Sequence, residues 1–274
     1  MAEPEIVVGD LQSPYGLAFD ADDVLFVSEA GANRVTRIED GRADPFAQTG
    51  PRPLGIAFDD SGDLFVAESG RHHLILISPD EAVEVYAHSC KGRRFARPHQ
   101  LCFAPTGDVL FSDAGHGDQT DDGCVYRADL DGEVSEIVSG LSSPAGMVLS
   151  EDAEVLFVSE RGQNRIVSLE IDDDGQLQNQ QVFVQFDDSA GAEALLFDAQ
   201  GQLYASRPGH GITVVDPEGK VAETITLPGD QVAGMTFGGI EFDQLFVAES
   251  AVGAIYRLAL QVAGQRPFAG PRSV

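Results

Sequence analysis

A chain of 274 residues, 43% of them apolar, is long enough to bury a large core, and no stretch approaches the roughly 18 unbroken apolar residues of a membrane-spanning helix. Asp and Glu number 45 against 17 Lys and Arg, a formal charge of −28, which argues against any nucleic-acid-binding face. Lys91 and Lys220 are the only lysines, so arginine supplies nearly all the positive charge on an acidic surface suited to high salt. Cys90, Cys102 and Cys124 fit neither a close-spaced metal pattern nor a disulfide framework. The opening MAEPEIVVGD, without a basic start or a long apolar run, is not expected to be a secretion signal, and the odd cysteine count makes a reducing, cytoplasmic setting the expectation.

In chain order, the first informative stretch is EIVVGDLQSP (5–14), which closely matches EIVSGLSSP (136–144) far downstream. The chain then repeats a Pro-x-Gly-apolar opening: SPYGLAFD (13–20), RPLGIAFD (52–59) and SPAGMVLS (143–150), with RPHQLCFAP (97–105) a polar variant. Prolines 14, 53, 98 and 144 lie 39, 45 and 46 residues apart, and AEALLFD (192–198) and VAGMTFG (232–238) open two further units without proline. A second signature follows each opening: VLFVSE (24–29), DLFVAE (63–68), VLFSD (109–113), VLFVSE (155–160), QLYASR (202–207) and QLFVAE (244–249). Third strands such as NRVTRIED (33–40) and fourth strands such as DPFAQ (44–48) complete each unit, with Gly, Asp and Pro between them.

Six units of about 40 residues, each of four short antiparallel strands, predict an all-β, six-bladed β-propeller. The expected organisation is a single domain over 1–274, with blades opening near 14, 53, 98, 144, 192 and 232. The match between 5–14 and 136–144 makes residues 4–9 an outer strand with no earlier blade to finish. They are expected to complete blade six and lock the ring, while 262–274 form a C-terminal extension across the ring's edge.

Antiparallel pairing puts the start of each inner strand and the end of each second strand at one face. Tyr15, Leu54, His99, Ala145, Glu193 and Ala233 then surround the channel mouth, and Glu29, Glu68, Asp113, Glu160, Arg207 and Glu249 gather nearby. These acids either form an electronegative funnel or accept hydrogen bonds from backbone and from Arg34, Arg71 and Arg165. The longest connection, DAGHGDQTDDGC (113–124), carries His116, Asp118, Asp121 and Asp122 and is expected to overhang the mouth as a lid. His210 lies on the corresponding connection of blade five, while His72-His73 follows blade two's Glu68. Ser28 and Ser159 have no His and Asp beside them in this arrangement, so a serine-hydrolase triad is not expected.

MTFGGIEFDQLFVAES…GAIYRL (235–258), FARPHQLCFAPTGDVLFSD (95–113) and LSSPAGMVLSEDAEVLFVSE (141–160) resemble the sixth, third and fourth blades of the senescence marker protein/gluconolactonase/luciferin-regenerating-enzyme (regucalcin-like) family. The resemblance spans essentially the whole chain. It implies a six-bladed propeller with a divalent metal in the channel and a lactone- or ester-hydrolysing activity. The family's metal ligands fall on Gln12, Ala145 and Glu193, and its substrate-fixing Asn-Asp pair falls on His99 and Gln100. The implied metal site is therefore Glu193, Gln12 and His99, with the imidazole favouring zinc or iron over calcium.

Three functions stay open at this level. One is a lactonase-like hydrolase acting on a small-molecule substrate, with Glu193 and His99 catalytic and Gln100, Asp113, His116 and His210 binding substrate. A second is metal-free acid–base chemistry by Glu193 and His99. The third is a ligand-binding propeller without turnover.

Overall fold

The structure, a computed structural model, describes residues 3–117, 120–172 and 174–269. Six four-stranded antiparallel sheets form the blades, with inner strands Pro14–Phe19, Pro53–Phe58, Pro98–Phe103, Pro144–Leu149, Ala194–Phe197 and Val232–Gly238. Each inner strand lies against that of the next blade, and Val232–Gly238 lies against Pro14–Phe19, so the ring closes. Glu5–Val8 pairs with Ala254–Ala259 as the outer strand of blade six, and Arg257 Nη2 holds Glu5 Oε2 at 2.5 Å across that seam. The chain thus joins its two ends within one sheet, as the 5–14 match predicts. No helix among the described residues is long and apolar enough to cross a membrane.

The Pro-x-Gly opening encodes a bulge. Pairing between the inner and second strands slips just after Pro14, Pro53, Pro98, Pro144 and Val232. A bulge leaves the next two residues outside the ladder and re-aims their side chains. Tyr15 and His99 owe their places at the mouth to this slip. The glycine of the motif has a packing reason as well: a Cβ on Gly234 would fall on the Tyr15 carbonyl oxygen. Gly234→Ala therefore has to push apart blades six and one, and a loss of about 3 kcal/mol in urea unfolding is expected.

Second-strand serines stitch the blades together. Ser28 Oγ accepts from Gly16 N–H at 2.8 Å and donates to Leu54 O of the next blade at 2.6 Å. Ser112, Ser159 and Ser206 donate likewise to Ala145, Ala192 and Ala233, each at 2.7 Å. Between blades lie six apolar clusters, several centred on edge-to-face aromatic pairs such as Phe26–Phe58, Phe157–Phe197 and Phe19–Phe246, each at 5.0 Å between centroids. Each such pair adds about 1 kcal/mol beyond burial. This is how a chain without tryptophan holds its blades in place.

Below the mouth the channel widens into a cavity of about 680 Å³ ringed by Phe19, Phe58, Phe103, Phe197, Phe237 and Leu149. Of the C-terminal extension expected across the ring's edge, residues 265–269 instead cross the cavity's far end, and 270–274 lie outside the described residues. Gln265 N–H donates to Phe197 O at 2.9 Å, its side-chain amide to Leu149 O at 3.0 Å, and Asp60 N–H donates to Ala269 O at 3.1 Å. Phe268 packs against apolar clusters of blades two to four. None of Tyr15, His99, Arg161 or Glu193 lines this cavity, so the titratable cluster is reached from the opposite face.

Candidate functional site

Four side chains from four blades meet at the open mouth. Tyr15 and His99 project from the bulges of blades one and three. Glu193 precedes the blade-five inner strand and is tied to that blade's second strand, Leu203–Arg207, by Glu193 N–H donating to Ser206 O at 2.9 Å. Arg161 opens the single turn Arg161–Gln163 after blade four's second strand, and its N–H donates to Ser143 O at 3.3 Å.

Glu193 is the hub. Arg161 Nη1 donates to Glu193 Oε1 at 2.9 Å and to Oε2 at 3.2 Å, while Arg161 Nη2 donates to Ser143 Oγ at 3.1 Å. Tyr15 Oη donates to Glu193 Oε2. His99 Nε2 lies 3.2 Å from Tyr15 Oη and 3.4 Å from Glu193 Oε2. Because the tyrosine proton is committed to the carboxylate, His99 satisfies this geometry as the Nε2–H tautomer, donating to the pair. Its Nδ1 is then a buried acceptor, and it has no hydrogen-bond partner. The side chains of Glu193 and Arg161 are 15% and 24% exposed against 5% for His99, so a substrate meets the ion pair first.

The protonation states follow from this packing. Burial would raise Glu193, but the Arg161 guanidinium and the Tyr15 hydroxyl override it and hold the carboxyl below its usual 4.5. Burial, then the Glu193 charge, raises Tyr15 well above 10. His99 is pushed down to about 3, first by burial and then by Arg161, with Arg52 and Arg97 acting in the same direction against Glu193. At neutral pH the site holds a carboxylate, a guanidinium, a phenol and a neutral imidazole.

The unfolded chain protonates His99 near 6.5, whereas the folded protein resists until about 3. The stability linked to His99 is complete above pH 6.5 and is lost progressively as pH falls toward 3. His99→Gln should flatten the dependence of Tm on pH across that window. An unchanged slope would mean that His99 is solvated in the folded protein.

The other sequence-predicted residues lie elsewhere. Gln12 is exposed; its N–H donates to Glu29 Oε2 at 2.7 Å, and no hydrogen bond or ion pair joins it to Glu193 or His99. Gln100 lines the apolar cavity, its side chain in the space where a Cβ on Gly55 would stand. Asp113 is buried, with backbone N–H groups of Ala96, Arg97 and Gly115 on its oxygens at 2.7, 2.8 and 3.0 Å. It is thus a latch on the loop that enters its own blade. Glu29, Glu160 and Glu249 do the same for Gln12, Ser142 and Gln231, and Arg34 and Arg165 pair with Glu29 and Glu160. Blade five reverses the polarity: Arg207 holds Asp188 and donates to Ala190 O at 3.0 Å. Glu68, also buried, accepts from Arg71 N–H at 2.8 Å, so the acids are structural hydrogen-bond acceptors, as one of the two readings has it, and not an open funnel.

His116 is exposed and pairs with Asp122 at 2.8 Å, and Asp118 lies outside the described residues. His210 lies 3.6 Å from Asp188, beside the blade-five latch. Sequence reasoning missed Arg161, although a signal exists. The turns EAGANR (29–34) and ERGQNR (160–165) differ at two positions, and one places Arg161 where blade one has Ala30. It also placed Tyr15 at the mouth without assigning it chemistry.

The donor set does not fit the divalent metal that the fold family implies. Ala145 offers a methyl group, Gln12 is turned to solvent, and Glu193 is already neutralised by Arg161. No group of three or more His, Cys, Asp and Glu among the described residues could hold a metal ion. A guanidinium stands on the carboxylate that would be the ligand.

The chain is 32% identical over 174 residues to the gluconolactonase of Zymomonas mobilis, covering 56% of this chain and 48% of that one. It is 24% identical over 166 residues to the pentonolactonase XacC of Haloferax volcanii, covering 53% and 57%. It thus spans about half the length of these curated relatives. Among solved structures, regucalcin, a calcium-binding protein of Agrobacterium tumefaciens, superposes with a TM-score of 0.84 at 18% identity, covering 100% of this chain and 98% of that one, a likeness of fold. With residues 13–251 matching the family described as SMP-30/Gluconolactonase/LRE-like region, the chain belongs to that family.

Proposed function

We propose that the protein hydrolyses a small lactone or ester at the channel mouth, with Glu193 as general base and Arg161 as the cation that meets the oxyanion. The observation that carries this reading is the Glu193–Arg161 pair, largely buried yet reachable at the open face. The lactonases among its relatives point the same way.

In this mechanism Glu193 takes a proton from a bound water as the water oxygen bonds to the carbonyl carbon. The carbonyl electrons move to oxygen, and the negative charge develops against the Arg161 guanidinium, which is already oriented by Glu193 and Ser143. Collapse breaks the ring C–O bond, and the proton on Glu193 passes to the departing alkoxide, giving the open-chain hydroxy acid. Glu193 ionises too readily to be a strong base, but a strained lactone carbonyl is reactive and asks chiefly for an oriented water and charge stabilisation. Tyr15 and His99 stay protonated and neutral, fixing the face that Glu193 presents.

The test is acid release from a panel of five- and six-membered aldonolactones, followed in a pH-stat. Turnover of at least one of them above the spontaneous rate supports the proposal. Binding without turnover across the panel would favour a ligand-binding propeller.

A further inference from the structure

Arginines gather at the mouth of a protein of charge −28. Three guanidinium groups, Arg52, Arg97 and Arg161, act on His99, with Glu193 opposing them. Two of them occupy one repeat position: Arg52 and Arg97 immediately precede the prolines that open blades two and three. Their commitments differ. Arg97 spends Nε on Gly115 O at 2.6 Å and Nη2 on Ala114 O at 3.0 Å, so it braces the long third-blade connection. Arg161 holds Glu193.

Arg52 is exposed, and among the described residues its guanidinium has no ion pair or hydrogen bond. Its backbone is nonetheless pinned, with N–H on Asn33 Oδ1 at 3.3 Å and C=O accepting from Ser69 N–H at 3.1 Å. It also has left-handed backbone, φ 61°, as do Ser13 and Ser143 at the matching positions of blades one and four, both at φ 49°. Short polar residues or glycine suit that conformation; a long arginine there costs stability without returning a contact. With 45 acidic residues in the chain, a solvent-facing guanidinium left unpaired beside the site is an open anion receptor.

Ring order fixes where this charge stands relative to the chemistry. Blade two lies across the channel from blade five, so Arg52 and Glu193 are carried by opposite blades of the mouth. We propose that the substrate is anionic: a small lactone or ester whose carbonyl reacts at Glu193 and Arg161 while a distal carboxylate or phosphate is received by Arg52. This rests on the hydrolase reading of the same mouth and adds the class of substrate to it.

Two measurements separate the proposals. The first compares kcat/KM for lactones that differ only in the distal group: hydroxymethyl, carboxylate or phosphomonoester. The anionic members should be favoured about tenfold or more, mainly through KM, with the preference shrinking at about 1 M salt. Arg52→Gln should remove that preference. Arg52→Gly should do the same while the fold tolerates it, because glycine suits the left-handed backbone. The second is calorimetric binding of glucose 6-phosphate against glucose, which needs no turnover. Tighter binding of the phosphate, lost in both variants, supports the anion site even if no lactone is hydrolysed. Hydrolysis of lactones with equal kcat/KM for neutral and anionic members overturns the anion site and leaves the hydrolase standing. Equal binding of the two sugars, or a preference unmoved by both variants, also overturns it.

Discussion

Glu193→Gln is expected to lower kcat/KM for lactone hydrolysis by about 10³-fold, through kcat. The substitution keeps the shape and leaves an oxygen to accept from Tyr15, so the mouth should keep its geometry. What it removes is the charge that takes the proton from water. It also leaves Arg161 without its counter-charge, but that guanidinium is 24% exposed and can be solvated, so the fold should survive. Steady-state kinetics paired with a melting curve separates the two effects. A variant that melts like the parent and keeps a tenth of its activity would remove Glu193 from the chemistry.

Arg161→Met is expected to act on both rate and pH dependence. Loss of the group that meets the oxyanion should cost about 10²- to 10³-fold in kcat/KM. The pH profile is the more specific readout. A general base works when deprotonated, so activity falls as pH drops through its pKa. In the parent, Arg161 holds Glu193 below 4.5, and the acid limb should lie below that value. Without Arg161, burial dominates and pushes the carboxyl up, so the limb should move above 4.5. The same change alters acid stability. In the parent, Glu193 contributes stability that is present above 4.5 and is lost as pH falls through its lowered pKa. The variant should lose that contribution at neutral pH. Arg161→Lys, which restores charge without the fork, should return the limb toward acid while recovering only part of the rate.

The fold was legible because a propeller repeats its instructions. Pro-x-Gly marks the bulge that starts an inner strand, and the VLFVSE signature marks the second strand; six copies leave little freedom in topology. The closing strand was readable from its twin at 136–144. The C-terminal segment was not, because it has no repeat partner, and its path over the channel is set by the apolar ring it covers. His99 and Glu193 could be placed at the mouth because their repeat position lies at the start of each inner strand, although the bulge that aims His99 emerges only with the fold. The second-strand acids looked like a functional ring, but four of the five accept from backbone N–H groups roughly 17 residues upstream, in loops whose course emerges only with the fold, and Glu68 accepts from Arg71 N–H. Arg161 is one residue in a turn, and its reach to Glu193 crosses from blade four to blade five, a contact that no local pattern encodes. Gln12 failed as a ligand position for a similar reason: its loop is held by Glu29 with the side chain outward.

The account turns on whether Arg161 supplies the positive charge at Glu193. The most direct measurement is lactone hydrolysis by protein stripped with a strong chelator and checked for metal content by mass spectrometry, with a pH–rate profile on the same sample. Undiminished hydrolysis is expected, with an acid limb below pH 4.5 that moves up in Arg161→Met. Loss of activity on chelation, restored by one equivalent of a divalent cation, would contradict it.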